Sequence, residues 1–322
     1  MIAFGRWTLV PQPFAPVAAN VLNNVEKVIV GKREVARFMF ATLLAGGHVL
    51  LDDVPGTGKT MMARAFATSM RCAFRRIQFT PDLLPSDILG VNIYNQKTSE
   101  FEFKPGPIFA SIVLADEINR ASPKVQSSLL ECMEEGQVTV DGVVHKLPDI
   151  FFVVATENPV EREGTYPLPE SEKDRFMIRL KMGYPSPSEE RGMMDMHRRG
   201  HPILGILPVE TPENIVRLRE ELASVAMDDT VKQFIVNLVN ATRESKDLAL
   251  GASPRATLAL FKLSRALAGL SGRNYVLPDD VKQLAVPVLA HRVLMDPVAQ
   301  MNGLAPEAVV ESLLEKVPVP IP

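Results

Sequence analysis

A glycine-rich turn near the start of the chain carries the clearest chemistry. Residues 49–51 are apolar, and residues 53–60 read Asp-Val-Pro-Gly-Thr-Gly-Lys-Thr before a helix-forming segment. Glycines let backbone N–H groups approach a phosphate, and a helix N-terminus favours negative charge. Lys59 can then reach the β- and γ-phosphates, and the Thr60 hydroxyl can ligate Mg²⁺. The alternative is a plain turn between a strand and a helix.

The predicted phosphate-binding residues form one continuous segment: Pro55, Gly56, Thr57, Gly58, Lys59, Thr60 and Met61. The strict phosphate-loop pattern begins with a glycine, and this chain has Asp53 in that place. We expect the entry to the loop to be stiffer as a result.

Two adjacent carboxylates follow a second apolar run, residues 112–115. So short a run is typical of a buried parallel strand, and ligands bind at the carboxyl ends of such strands. Asp116 would hold Mg²⁺ together with Thr60, and Glu117 would orient and deprotonate an attacking water. The alternative is an acidic surface turn.

A polar amide follows a third apolar run, residues 151–156. Asn158 stands just past its end, where it could touch a γ-phosphate or the attacking water. An Asn-Pro pair is also a common turn, which is the alternative.

Composition limits the class of protein. The chain has 322 residues, of which 46% are hydrophobic, enough for two domains with cores. Its net charge of -3 and pI near 6.0 make nucleic acid an unlikely partner. Cys72 and Cys132 fit no metal spacing and indicate a reduced compartment, and no apolar run is long enough for a membrane span. We therefore expect a cytoplasmic protein.

The elements that must position these residues alternate between strands and helices. Residues 1–16 predict a short arm without a core. Residues 17–184 predict an α/β unit with helices at 17–26, 33–44, 59–70 and 123–135, and strands at 73–79, 112–115, 151–156 and 176–182. Two hairpins are predicted, 91–94 with 100–104 and 138–140 with 143–144. Residues 185–322 predict a domain of helices only, including 229–244, 254–270 and 278–292.

In this order, the motifs resemble those of the MoxR-type AAA+ ATPases. Besides the phosphate loop, the resemblance rests on residues 115–121 (Ala-Asp-Glu-Ile-Asn-Arg-Ala), 155–159 (Ala-Thr-Glu-Asn-Pro), 164–170 (Gly-Thr-Tyr-Pro-Leu-Pro-Glu) and 174–176 (Asp-Arg-Phe). It implies an α/β fold in which a P-loop AAA+ parallel sheet binds the nucleotide and a smaller all-α lid domain follows. The two hairpins would be its helix-2 insert and pre-sensor hairpin.

The resemblance also implies residue roles. Lys59 and Thr60 would be the Walker A pair, and Asp116 and Glu117 the Walker B pair. Asn158 would be sensor 1, and Val30 and Gly31 would form the box near adenine. Arg175 would be the arginine finger for a neighbouring subunit, and Arg255 would be sensor 2, which contacts the γ-phosphate from the lid. From the residues alone, an arginine in the first turn opposes the helix dipole by about 0.3–1 kcal/mol, so Arg255 does not stabilise its own helix. The alternative is a solvated arginine.

The implied function is Mg²⁺-dependent ATP hydrolysis in a ring, a hexamer, that remodels or matures client proteins. Metal or cofactor insertion and partners with a von Willebrand factor A domain are further implications. Three alternatives stay open: a slow nucleotide-dependent switch or adaptor, a chelatase-type AAA+ subunit, and a nucleic-acid motor. The methionines Met61, Met62, Met193, Met194 and Met196 are predicted to fill a core.

Overall fold

The computed structural model describes residues 14–158, 165–198 and 200–320. The predicted arm at residues 1–13, Pro159 and the first residue of the motif 164–170 lie outside these ranges. The helices are α1 Phe14–Glu26, α2 Arg33–Leu44, α3 Lys59–Ser69, α4 Pro85–Leu89, α5 Pro123–Glu135, α6 Glu170–Lys173, α7 Pro187–His197, α8 Pro212–Glu221, α9 Asp229–Glu244, α10 Pro254–Leu270, α11 Pro278–Leu289, α12 Pro297–Met301 and α13 Pro306–Lys316. The strands are β1 Val49–Asp52, β2 Phe74–Gln78, β3 Gly90–Asn95, β4 Glu100–Pro105, β5 Ile112–Asp116, β6 Gln137–Val140, β7 Val143–Lys146, β8 Phe152–Glu157, β9 Ile178–Leu180, β10 Leu248–Leu250 and β11 Leu294–Met295.

A five-stranded parallel sheet forms the centre of the first half of the chain. Its order is β2-β5-β8-β1-β9, with β5, β8 and β1 in the middle. These inner strands are apolar runs because helices cover both faces. Since all strands run the same way, the segments after β1, β5 and β8 meet at one edge, which we call the carboxyl edge.

Two antiparallel hairpins project from this unit close to their predicted bounds. The turn between β6 and β7 places Asp141 and Gly142 at φ +49° and +80°, as a two-residue hairpin turn requires. The Asn92 side chain donates to Asp141 at 2.8 Å, and the Phe103 ring stacks on His145 at 3.8 Å. The two hairpins therefore form one paired structure.

The second half is helical, as predicted, with one exception. Helices α9 and α10 have the predicted bounds, whereas α11 ends three residues before the predicted end at residue 292. A small antiparallel pair, β10 with β11, was not predicted. Strands of three and two residues are too short for an alternating pattern to appear in the sequence.

One hydrophobic cluster joins the sheet to these helices. Helix α1 begins at Phe14, three residues before its predicted start, so the predicted arm boundary at residue 16 was too late. Pro16 does not prevent this, because proline is tolerated in the first turn of a helix. The Phe14 ring is fully buried and packs against Gly269 of α10. No helix in the described ranges is long and apolar enough to cross a membrane.

Candidate functional site

The phosphate loop connects β1 to α3 in an open turn. Gly56 and Gly58 have φ +86° and +90°, a region in which a side chain would cause strain. The Lys59 ammonium donates to the Asp53 carbonyl at 2.6 Å. Burial lowers the pKa of Lys59, and the nearby carboxylates, Asp53 first, oppose that shift. The positive φ angles leave the loop backbone open to a phosphate. The Met61 side chain packs against the hydrophobic cluster, as predicted for a methionine that fills a core.

Asp53 fits the loop because its backbone lies outside the left-handed region, so a glycine is not required there. Its carboxylate accepts a hydrogen bond from the Val54 N–H at 2.9 Å and another from the Gly183 N–H at 2.6 Å. Gly183 lies in the linker between β9 and α7. Asp53 therefore ties the phosphate loop to the start of the helical half.

Asp116 and Glu117 lie at the carboxyl edge, at the end of β5. The Thr156 hydroxyl of β8 donates to Asp116 Oδ1 at 2.7 Å and accepts from the Glu117 N–H at 2.9 Å. Glu117 has φ +56°, an uncommon conformation for a residue with a side chain. One buried hydroxyl thus holds both the Asp116 carboxylate and the Glu117 backbone in place. Sequence reasoning missed Thr156, whose only signal was a hydroxyl at the end of an apolar strand.

Edge strand β2 supplies partners for both carboxylates. Arg76 donates to Asp116 Oδ2 through Nε at 2.9 Å and Nη2 at 2.7 Å. Gln78 donates to Glu117 Oε2 at 2.8 Å, and Arg120 donates to the same oxygen at 3.1 Å. Arg76 and Gln78 were also missed. Their signal was two polar residues at alternate positions, which face the same side of a strand.

Asn158 completes the carboxyl edge. It is buried just past the end of β8, and β8 lies between β5 and β1. The edge thereby places Lys59 and Thr60 on one side of Asn158 and the two acidic residues on the other. The Thr60 hydroxyl and the Asp116 carboxylate are oxygen ligands of the kind that Mg²⁺ prefers, so the donor set fits that ion.

A cleft beside the phosphate loop extends this edge toward the helical half. Its lining includes Val28, Ile29, Val30, Lys32, Gly56, Thr57, Gly58, Pro185, Met193, Met196, His197 and Pro202. A glycine is required at position 31, beside this cleft, because the backbone there has φ +73°. A Cβ on it would also lie 1.6 Å from Glu189 Oε1. We call this the loop cleft.

The prediction that the methionines fill a core is right for Met62 and wrong for the methionines at the loop cleft. Met62 is fully buried, as expected. Met193 and Met196 line the cleft, and Met194 is exposed. Helix α7 has no buried residue, so its methionines have no core to fill. His197 on the same helix was not predicted to line a cleft.

Arg175 and Arg255 meet in a different place. Arg175 Nη1 lies 3.5 Å from Glu134 Oε2, and Arg255 pairs with the other oxygen of Glu134. Their cleft, the arginine cleft, is also lined by residues 46–48, which precede β1, whereas the phosphate loop follows β1. The four residues of β1 span about 13 Å. The structure therefore does not bring Arg255 to the phosphate loop of its own chain, where a lid arginine was expected.

His48 forms a wall of the arginine cleft. Its Nδ1 accepts from the Val153 N–H at 3.0 Å, and its Nε2 donates to the Met133 carbonyl at 3.1 Å. Burial lowers the pKa of His48 to about 4. The ring is therefore neutral at pH 7 and joins β1, β8 and the end of α5.

Comparison with known proteins connects this geometry to a family. Residues 48–178 match the profile of the ATPase family associated with various cellular activities (AAA), and residues 240–313 match that of the AAA lid domain. The chain is 41% identical to Chaperone MoxR1 of Mycobacterium tuberculosis in an alignment 315 residues long that covers 94% of this chain and 82% of that protein. The chain belongs to the MoxR family of AAA+ ATPases.

Other relatives of this MoxR-family chain match nearly its whole length. The uncharacterised protein YeaC of Bacillus subtilis is 52% identical over 306 residues, covering 95% of this chain and 96% of YeaC. A crystal structure of a proposed ATPase from Cytophaga hutchinsonii superposes with a TM-score of 0.90 at 38% identity, covering 96% of each chain. The predicted fold class, an AAA+ parallel-sheet domain with a helical lid, is confirmed.

Proposed function

We propose that this MoxR-family protein hydrolyses ATP at the interface between two copies of the chain, in a ring. The observation that carries the proposal is the separation of the two clefts. The phosphate loop and the carboxylates lie at the carboxyl edge, and Arg175 and Arg255 lie beyond the other end of β1. Both arginines would then serve the nucleotide of a neighbour. A six-membered ring is the size we propose.

The carboxyl edge supplies the remaining groups for phosphoryl transfer, which depends mainly on positioning and electrostatics. Lys59 would neutralise the β- and γ-phosphates, and Asn158 would hold the γ-phosphate or the attacking water. Glu117 would take the proton of that water. Thr60 and Asp116 would hold Mg²⁺, which supplies positive charge that stabilises the phosphate oxygens. Val30, Gly31 and the α7 side chains would contact the base.

The paired hairpins are the surface that we propose for client proteins. Several large apolar side chains are exposed on them: Val91, Ile93, Tyr94, Phe101, Val143 and Val144. Large exposed apolar side chains concentrated on one projecting structure are typical of a protein interaction site. The chaperone designation of the relative MoxR1 supports a role in remodelling or maturing clients. Clients or adaptors with von Willebrand factor A domains, metal insertion and a cytoplasmic location belong to this proposal.

Steady-state ATP hydrolysis at increasing protein concentration tests the proposal, with Glu117→Gln and Arg175→Ala measured alongside. We expect the rate per subunit to rise with concentration and to fall in both variants, because the catalytic site is completed across an interface. Tight ATP binding with no turnover at any concentration, with clients added, would favour a slow switch instead. A rate that rises on adding DNA would favour a nucleic-acid motor.

A further inference from the structure

A lid arginine outside all predicted motifs reaches into the loop that carries Arg175. Arg292 follows α11, and its side chain is only 2% exposed. It makes hydrogen bonds with three backbone carbonyls and one carboxylate around Arg175: Nε to Asp174 Oδ1 at 2.9 Å, Nη2 to the Asp174 carbonyl at 3.2 Å, Nη2 to the Phe176 carbonyl at 2.6 Å and Nη1 to the Met177 carbonyl at 3.1 Å. The backbone on both sides of Arg175 is therefore held by one guanidinium.

The Arg292 guanidinium is buried, which costs free energy that its hydrogen bonds must offset. Burial lowers its pKa to about 10, and Asp174 opposes the shift. Burying a guanidinium costs free energy unless its donors are satisfied, and Nη1 donates also to the Val288 carbonyl at 2.6 Å. The planar fork of arginine can bond several carbonyls at once, which the single ammonium of lysine cannot.

The same carboxylate also connects to the second arginine. Asp174 accepts from the Ser253 hydroxyl at 2.9 Å, and Ser253 caps α10 two residues before Arg255. Asp174 thus joins Arg292 to the loop of Arg175 and to the helix start of Arg255. Movement of the lid would displace all three together.

We propose that Arg292 is a positioning residue for Arg175, which it aims out of the chain toward the nucleotide of a neighbouring copy. The inference rests on the proposed function, since it assumes that Arg175 acts across an interface. Misplacing a catalytic group by about 1 Å can cost on the order of 100-fold in rate. A conservative change at Arg292 should therefore lower turnover without touching the phosphate loop.

Arg219 provides a matched control. It is a second lid arginine, on α8, that donates to backbone carbonyls of the sheet unit: Leu43 at 2.9 Å and Asp149 at 2.8 Å. Burial lowers the pKa of Arg219 too. It contacts neither Asp174 nor the loop of Arg175, so its replacement tests the cost of losing a buried bridge between lid and sheet alone.

The experiment compares Arg292→Lys with Arg219→Lys in the full chain. Circular dichroism and thermal unfolding establish that each variant is folded, and titration with ATP and Mg²⁺ measures binding. We expect both variants to bind ATP like the wild type and both to unfold at a lower temperature. Turnover per folded subunit should fall by about tenfold or more in Arg292→Lys only.

Mixing two kinds of variant subunit tests whether a misplaced Arg175 causes the loss of turnover in Arg292→Lys. Glu117→Gln subunits lack the proposed base but keep a well-positioned Arg175, so adding them should restore part of the turnover of Arg292→Lys, as it should for Arg175→Ala. The double variant Arg292→Lys/Arg175→Ala should be no slower than Arg175→Ala.

Three results would overturn the inference, for two different reasons. Wild-type turnover of Arg292→Lys, or no recovery on mixing while Arg175→Ala recovers, overturns the positioning role alone. Wild-type turnover of Arg175→Ala overturns the proposed function, and this inference with it.

Discussion

The carboxyl edge and the arginine cleft are both built from charged residues at the ends of β1, yet they differ in how they are supported. At the carboxyl edge the backbone does most of the positioning, through Gly56 and Gly58 in the phosphate loop and through strand ends. In the arginine cleft long side chains from the lid are held by carboxylates, Arg255 by Glu134 and Arg292 by Asp174. The first can be complete within one chain, whereas the second depends on how the lid is docked.

Removing one cation from each cleft tests this difference most directly. Lys59→Ala should weaken ATP binding by about 100-fold or more, because a charge-assisted contact to phosphate is lost. Arg255→Ala should leave ATP binding to the chain unchanged and lower only turnover. Calorimetric titration of each variant with ATP and Mg²⁺ measures the binding. Lys262→Ala removes a lysine that lines the arginine cleft and is the charge control for Arg255→Ala. Equal loss of binding in Lys59→Ala and Arg255→Ala would contradict the separation of the clefts.

The buried His48 should make the arginine cleft the acid-sensitive region. Its pKa is about 4 in the folded chain against an ordinary 6.5, so its contribution to stability is complete above pH 6.5 and is lost as the pH falls toward 4. The loss in unfolding free energy should reach about 3 kcal/mol. Urea unfolding between pH 4 and 7 measures it.

His48→Gln should reduce this pH dependence, because glutamine does not titrate. The exposed His201 is the control, and His201→Gln should keep the wild-type slope. If the unfolding free energy of His48→Gln still fell with pH as in the wild type, other groups would cause the acid sensitivity.

Asp53 allows a sharper test of this comparison, since its side chain ties the phosphate loop to the linker before α7. Asp53→Gly restores the strict loop pattern and should lower the unfolding free energy by about 2 kcal/mol, because two hydrogen bonds to a charged acceptor are lost. Asp53→Asn keeps a carbonyl acceptor and should lose less. Urea unfolding at pH 7 ranks the variants, and a glycine variant as stable as the wild type would mean that the tie contributes nothing.

The smallest effect is expected at Arg76, which is about half exposed and pairs with Asp116 at 2.7 Å. Arg76→Gln should lower the Mg²⁺ concentration for half-maximal ATP binding by roughly threefold, since exposed ion pairs contribute at most about 1 kcal/mol. Arg75→Gln, on the neighbouring and oppositely directed position of β2, is the control. A higher Mg²⁺ requirement in Arg76→Gln would show that Arg76 assists the ion instead.

The sequence alone determined most of the elements and placed Lys59, Thr60, Asp116, Glu117 and Asn158 at the carboxyl edge. A phosphate loop, a strand ending in two carboxylates and a strand followed by Asn158 are all local patterns, and parallel strands bring their ends together by geometry. The long lid helices α9 and α10 were predicted with their bounds because helix periodicity is also a local pattern. Residues whose role comes from a neighbouring strand, such as Thr156 and Arg76, were missed.

The tertiary structure alone decided where the lid places its side chains. Local sequence shows that Arg255 opposes its helix dipole, but not that it shares Glu134 with Arg175. Nothing in the residues around Arg292 indicates that it holds the backbone 115 residues earlier, at Met177. Such contacts depend on the packing of two distant segments, which local pattern does not encode. Local sequence patterns therefore predicted the carboxyl edge, which the backbone positions. The arrangement of the arginine cleft depends on how the lid packs against the sheet.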